Sequence, residues 1–192
     1  MKTCLLVIDA QESFRHRPYF DPRGFGVYVQ VQNALIAGCL ARDIPIVRIL
    51  HVDGPADASN PFALASGHVR PLPELLPFEP AAQFQKHRHS ALVGTGLDVW
   101  LVEHGIRRLI VSGIRTEQCC ETTTRHASDL GYTVDFVLDA TLSFDMQLPS
   151  GAPLRVQDIK DRTAAVLKDR FARICSVEDA LDEEHAGALA TA

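Results

Sequence analysis

Short apolar runs alternate with stretches of helical spacing along most of the chain, and this alternation limits the possible folds more than any other feature. The runs predicted as strands are 3–8, 44–50, 84–86, 108–112, 133–138 and 172–175. The stretches predicted as helices are 27–41, 94–104, 119–131 and 158–171, and Ser176 with Asp179 forms a capping-box variant before a terminal helix. Such an order predicts a parallel sheet with helices on both faces, joined by right-handed crossovers.

Composition narrows the class of protein. With 192 residues, 46% hydrophobic and 22% charged, the chain suits one globular domain, which we predict over 1–185 with a frayed tail at 186–192. The net charge of -5, with no basic block, argues against a nucleic-acid partner. The first apolar run ends at Asp9, too early for a signal peptide or a membrane span, and five scattered cysteines fit a reducing compartment. We therefore expect a cytoplasmic protein without a membrane partner.

Cys119 stands between a predicted buried strand and a predicted helix that ends at Gly131. The first turn of a helix carries unpaired backbone N–H groups and the positive end of the helix dipole. Both favour the thiolate, so we expect a lowered pKa for the Cys119 thiol and a reactive sulfur. Successive helical residues point about 100° apart, so Cys120 is expected in the core.

Asp9 and Lys86 also follow predicted strands, at the sheet edge where open α/β folds bind ligands. A nearby ammonium favours thiolate, and a nearby carboxylate can carry the thiol proton to a leaving group. Together with Cys119 these residues would support nucleophilic catalysis. Taken singly, each has a plainer interpretation: Asp9 as a turn cap, Lys86 as a solvated charge and Cys119 as a small buried hydrophobe.

Several segments in the right order carry a family resemblance. They are LLVIDAQESF around Asp9, K-x-x-x-S-A-L from Lys86 with Gly94-Thr95 after it, GIRTEQCCETT from Gly113, and GYTVDFVLDA from Gly131. Over nearly its whole length the chain resembles the isochorismatase-like cysteine hydrolases. The resemblance implies a three-layer α/β/α, doubly wound, Rossmann-like fold and a homodimer or homotetramer. It also implies a triad in which Asp9 shuttles protons, Lys86 is the electrostatic partner and Cys119 is the nucleophile.

The same resemblance implies a cis peptide bond between Ile114 and Arg115, which would aim the Arg115 N–H, with that of Cys119, into an oxyanion hole. Arg115 stands where a small or apolar residue is expected. It either contacts an anionic substrate or points outward, and the sequence leaves both open. Gln11, Phe14 and Thr116 are further candidates for contact with a small-molecule substrate.

Retention of the cysteine implies hydrolysis of a small amide, ureido or carbamoyl C–N bond through a thioester. The alternatives are ether hydrolysis of the isochorismatase type, a catalytically silent binding module, and a redox role for Cys119 and Cys120. Nicotinamidases of the family carry Asp-x-His at a metal site, whereas this chain reads His51-Val52-Asp53. His51, Asp53 and His68 either gather a metal or lie in loops and at the rim; we predict no metal and no cofactor. The proline-rich segment 53–83 is predicted to cover the active site.

Overall fold

A six-stranded parallel sheet forms the centre of the structure, a computed structural model that describes residues 1–182. The predicted tail and the last residues of the predicted domain lie outside the described residues. The strands are β1 (Thr3–Ile8), β2 (Ile46–His51), β3 (Ala82–Lys86), β4 (Arg108–Ile114), β5 (Thr133–Leu142) and β8 (Arg173–Cys175), in the spatial order β3-β2-β1-β4-β5-β8. Two short strands, β6 (Met146–Gln147) and β7 (Pro153–Leu154), pair antiparallel outside this sheet.

Among the described residues, five α-helices cover the two faces of the sheet. They are α1 (Phe25–Leu40), α2 (Leu97–Glu103), α3 (Glu121–Asp129), α4 (Val156–Leu167) and α5 (Val177–Leu181). Alternation along β1 separates two cores: Leu5 and Val7 pack with residues of α1 and α5, whereas Leu6 and Ile8 pack with residues of α2, α3 and α4. Apolar side chains on both faces explain why the strand reads as an unbroken apolar run. The doubly wound α/β fold is confirmed.

Element boundaries differ from prediction where tertiary contacts set them. β5 extends to Leu142 because its end pairs with Gly113 and Ile114 beyond an irregularity in register. α4 starts earlier than predicted because Asp158 is its third residue, where its carboxylate accepts from the Arg155 N–H. The same helix ends at Leu167, before Asp169 adopts a φ of 60°. The ranges of the other long elements match to within a few residues, and the Ser176–Asp179 capping box is confirmed.

Gly113 brings the end of β4 against the end of β1. Its φ is 129°, and a Cβ built there would lie 1.9 Å from the Ile8 carbonyl oxygen. Only glycine permits that approach, which sets the segment after β4 beside the segment after β1. Within residues 1–182, no helix combines the length and apolar character needed to span a membrane.

Candidate active site

The three predicted catalytic residues lie together at the carboxyl edge of the sheet. Asp9 follows β1 in a left-handed conformation with a φ of 50°, Lys86 is the last residue of β3, and Cys119 lies in the π-helical turn Thr116–Cys120 after β4. The Lys86 ammonium lies 2.7 Å from Asp9 Oδ2 and donates to Cys119 Sγ at 3.2 Å. All three side chains are buried. The fold therefore places a carboxylate, an ammonium and a thiol in contact.

Lys86 reaches this point from two strands away. β2 lies between β1 and β3, and His51 at its end pairs in register with Lys86. The ammonium also donates to His51 Nδ1 at 2.8 Å and to the Arg88 carbonyl at 3.1 Å. Burial acts to lower the pKa of Lys86, but Asp9 and Cys119 together outweigh it and raise that pKa. Lys86 is therefore positively charged at neutral pH, and hydrogen-bond acceptors surround its ammonium.

The thiol and the carboxyl are both shifted towards their protonated forms. Burial, followed by the negative charge of Asp9, raises the pKa of Cys119 to about 12, although Lys86 acts in the opposite direction. Burial also raises the pKa of Asp9 against the effect of Lys86. The expected lowering of the thiol pKa is wrong, because the loss of solvation and the neighbouring carboxylate outweigh the helix terminus. The resting sulfur is a thiol with a base beside it.

A cavity of about 240 Å³ opens onto Cys119. Its lining combines the Asp9 carboxylate and the Cys119 thiol with aromatic rings, two arginines and two histidines: Asp9, Phe14, Arg17, Tyr19, His51, Asp53, Phe62, His89, Arg115, Gln118 and Cys119. The edge of the Phe62 ring packs on Phe14, with ring centroids 5.0 Å apart. Segment 53–83 thus supplies two residues of the wall, Asp53 and Phe62, in keeping with its predicted place over the site.

Arg115 points inward. Its side chain is only 9% exposed, it forms an ion pair with Glu117 at 2.9 Å, and its guanidinium lies over the Tyr19 ring at 5.2 Å. Its Nε is buried and has no hydrogen-bond partner within residues 1–182. Of the two interpretations from the sequence, the outward-pointing one is wrong. The Ile114–Arg115 peptide bond is cis, as the resemblance implied; an oxyanion hole at Ile114, Arg115 and Cys119 stays a prediction.

Two predicted substrate contacts are wrong. Gln11 is fully buried, and its amide donates to Ser13 Oγ and the His51 carbonyl while accepting from the His51 N–H at 2.7 Å. Thr116 is also fully buried and donates to the Thr141 hydroxyl at 2.8 Å. Because these polar groups are engaged inside the protein, they hold the backbone around the site and do not face the cavity. Phe14 does line the cavity.

The three residues considered for a metal site do not assemble. The His68 ring stacks on His16 with centroids 3.6 Å apart, near Glu12, while His51 lies by Asp9 and Cys119. Nδ1 of His51 is already engaged by Lys86. Within the part of the chain that the structure describes, His51, Asp53 and His68 therefore do not form a common set of metal ligands.

Cys120 is fully buried in the core, as predicted, and the described cysteines are free. Sequence reasoning missed Arg17, Phe62, His89 and Gln118 as residues of the cavity wall and did not connect His51 with Lys86. Most of these residues lie in loops, where neither periodicity nor a motif marks them. The strand register, which places His51 opposite Lys86, is the one signal that could have linked those two.

Comparisons with known proteins agree with one another. The family model of the isochorismatase domain matches residues 3–179. YrdC of Bacillus subtilis, an uncharacterized isochorismatase family protein, is 27% identical over 95% of this chain and 96% of its own length. Nicotinamidase 3 of Arabidopsis thaliana is 39% identical over 36% of this chain and 35% of its own length. The crystal structure of an isochorismatase from Pseudomonas putida has a TM-score of 0.79 and 27% identity, covering 93% of this chain and 89% of that one.

Proposed function

Because the chain belongs to the isochorismatase family of hydrolases, we propose that it cleaves the C–N bond of a small amide, ureido or carbamoyl substrate. The bond would be broken through a thioester on Cys119. The observation that carries the proposal is the position of the Lys86 ammonium, 2.7 Å from Asp9 and 3.2 Å from the sulfur, at a cavity open to that sulfur. A relative whose name denotes a nicotinamidase supports the choice of an amide.

Attack begins from the thiol. As Sγ bonds to the substrate carbonyl carbon, the Asp9 carboxylate takes the sulfur's proton and the C=O electron pair moves onto the oxygen. An Asp9 oxygen and Sγ lie within 4.8 Å of each other, and the proton passes once the two groups come within hydrogen-bond distance during attack. The raised pKa of Asp9 makes its carboxylate a stronger base than an exposed one. The ammonium of Lys86, in contact with both groups, offsets the negative charge throughout.

Release of the amine completes the first half of the reaction. The C–N bond breaks with its electron pair on nitrogen, and the proton held by Asp9 passes to that nitrogen. Water then adds to the thioester carbonyl while Asp9 takes one of its protons. When the C–S bond breaks, the sulfur recovers that proton, and the acid product leaves. Asp9 thus acts as base and acid in each half, and the thiol is regenerated.

The cavity limits the substrate to a small molecule. Its volume is about 240 Å³, and Phe14, Tyr19 and Phe62 give it aromatic walls. Arg115, which lines the cavity, offers the positive charge of its guanidinium to a polar or anionic group of the substrate. We propose that Phe14 packs on the substrate and that Arg115 binds its polar end.

The test is ammonia release from a panel of small amides, ureas and carbamoyl compounds, nicotinamide among them. The wild-type protein should release ammonia from at least one of them and show an acyl adduct on Cys119 by mass spectrometry of quenched reactions. Cys119→Ala should lose both, whereas Cys175→Ala, remote from the cavity, should keep both. Undiminished turnover by Cys119→Ala would exclude the covalent route. Turnover of a vinyl ether with no ammonia from any amide would favour ether hydrolysis instead.

A further inference from the structure

The contact between His51 and Lys86 fixes which ring nitrogen of His51 carries a proton. It ends β2, is only 8% exposed, and its Nδ1 lies 2.8 Å from the Lys86 ammonium. An ammonium has only donors, so Nδ1 must accept and cannot carry a proton. Lys86 therefore selects the tautomer of its neighbour.

The ring is neutral at physiological pH. Burial, followed by the charge of Lys86, lowers the pKa of His51 from 6.5 to about 4. A neutral imidazole with a bare Nδ1 carries its only proton on Nε2. His51 thus keeps one N–H donor that Lys86 does not use.

That donor stands beside an acceptor at the cavity wall. His51 Nε2 lies 3.9 Å from Asp53 Oδ2, too far for a direct hydrogen bond, and both residues line the cavity that holds Cys119. The Asp53 side chain is 69% exposed and its carboxylate offers only acceptors. A donor and an acceptor are therefore presented side by side, unpaired with each other, next to the reactive sulfur.

We propose that His51 and Asp53 recognise the edge of a primary carboxamide. His51 Nε2–H donates to the substrate's carbonyl oxygen, and Asp53 accepts from the NH₂ group on the same edge. A carboxamide matches this pair because its oxygen accepts and its nitrogen donates. An ester of the same acid lacks the donor and leaves Asp53 unmatched. The proposal rests on the proposed function and narrows it to substrates with a free –CONH₂, terminal carbamoyl groups included.

The experiment compares a primary amide with the methyl ester of the same acid, taking the best amide of the panel, or nicotinamide and methyl nicotinate. Both substrates give the same thioester, so any difference in kcat/KM arises in the step that forms it. Asp53→Ala should lower the amide-to-ester ratio of kcat/KM about tenfold, the scale of one hydrogen bond to a charged group. Asp57→Ala removes a carboxylate of the same loop that bonds Ser59 outside the cavity, and should keep the wild-type ratio.

Two substitutions of His51 separate its two nitrogens. Asn places its amide near the position of Nδ1 and so keeps a partner for Lys86, whereas Gln reaches the position of Nε2 and keeps a donor for the substrate. His51→Asn should raise the KM for the amide more than His51→Gln does.

An active Asp53→Ala enzyme with an unchanged amide-to-ester ratio would overturn the assignment, as would equal losses on both substrates. Absence of amide turnover in the wild-type protein would instead refute the proposed function itself.

Discussion

Two buried carboxylates lie at opposite ends of the same sheet, and their surroundings differ sharply. Asp135, near the amino end of β5, accepts from Arg108 and Arg173 on both of its oxygens. Arg108 in turn donates to the Ala180 carbonyl. At the carboxyl end, Asp9 shares the single ammonium of Lys86 with a histidine, a thiol and a carbonyl.

The two carboxylates differ in how far their partners offset the effect of burial. Two guanidinium groups supply hydrogen-bond donors to both oxygens of Asp135. None of these three residues lines the cavity at Cys119. At Asp9, the charge of Lys86 does not fully offset the effect of burial, so the pKa of Asp9 is raised. Asp9 also lines the cavity, beside the Cys119 thiol. We infer that the Asp135 cluster serves stability and that the Asp9 cluster serves chemistry, and the three predictions below test this contrast.

The largest expected effect is a loss of activity when the Asp9 cluster is changed. Lys86→Met removes the charge that holds the Asp9 carboxylate ionised and offsets the charge of the transition state, so kcat/KM should fall at least about 10³-fold. Amide turnover and circular dichroism, measured together, separate lost chemistry from lost folding. Lys168→Met, at an exposed position away from the cavity, is the control. A folded Lys86→Met protein with kcat/KM within tenfold of wild type would contradict the assigned role.

A change in the Asp135 cluster should lower stability and leave activity nearly unchanged. Asp135→Asn leaves the charge of Arg108 buried without its counter-ion, which should lower the free energy of unfolding by about 3–5 kcal/mol. Urea unfolding measures the loss, and kcat/KM of the folded fraction should stay near the wild-type value because Asp135 does not line the cavity. Loss of activity in fully folded protein would mean that the two clusters are coupled.

The smallest effect concerns the pH dependence of stability. The pKa of His51 falls from 6.5 to about 4 on folding, so below pH 6.5 the unfolded chain binds a proton that the folded chain does not. Stability is therefore fully present above pH 6.5 and is lost as the pH falls towards 4, by at most about 1.4 kcal/mol per pH unit from this group. Urea unfolding between pH 4.5 and 7.5 should show a shallower slope for His51→Gln than for wild type.

Much of the site was predictable because its residues follow strands. Asp9 and Cys119 come after apolar runs and Lys86 ends a short strand, and parallel strands bring their carboxyl ends to one edge. Gln11 and Thr116 are equally close to those ends in sequence, yet their side chains turn into the protein and bond its backbone and hydroxyl groups. A position close in sequence to a predicted catalytic residue therefore does not show whether a side chain lines the cavity or supports the structure around it.

The sequence by itself determined the alternation of strands and helices and singled out Asp9, Lys86 and Cys119 as candidates, because these depend on local periodicity and short motifs. Only the tertiary structure decided the state of the thiol, the inward turn of Arg115 and the link from Lys86 to His51. Those properties depend on burial and on distances between residues far apart in the chain. The Cys119 pKa shows the reason: a local helix terminus favours the thiolate, but the desolvation and charge supplied by distant segments outweigh it.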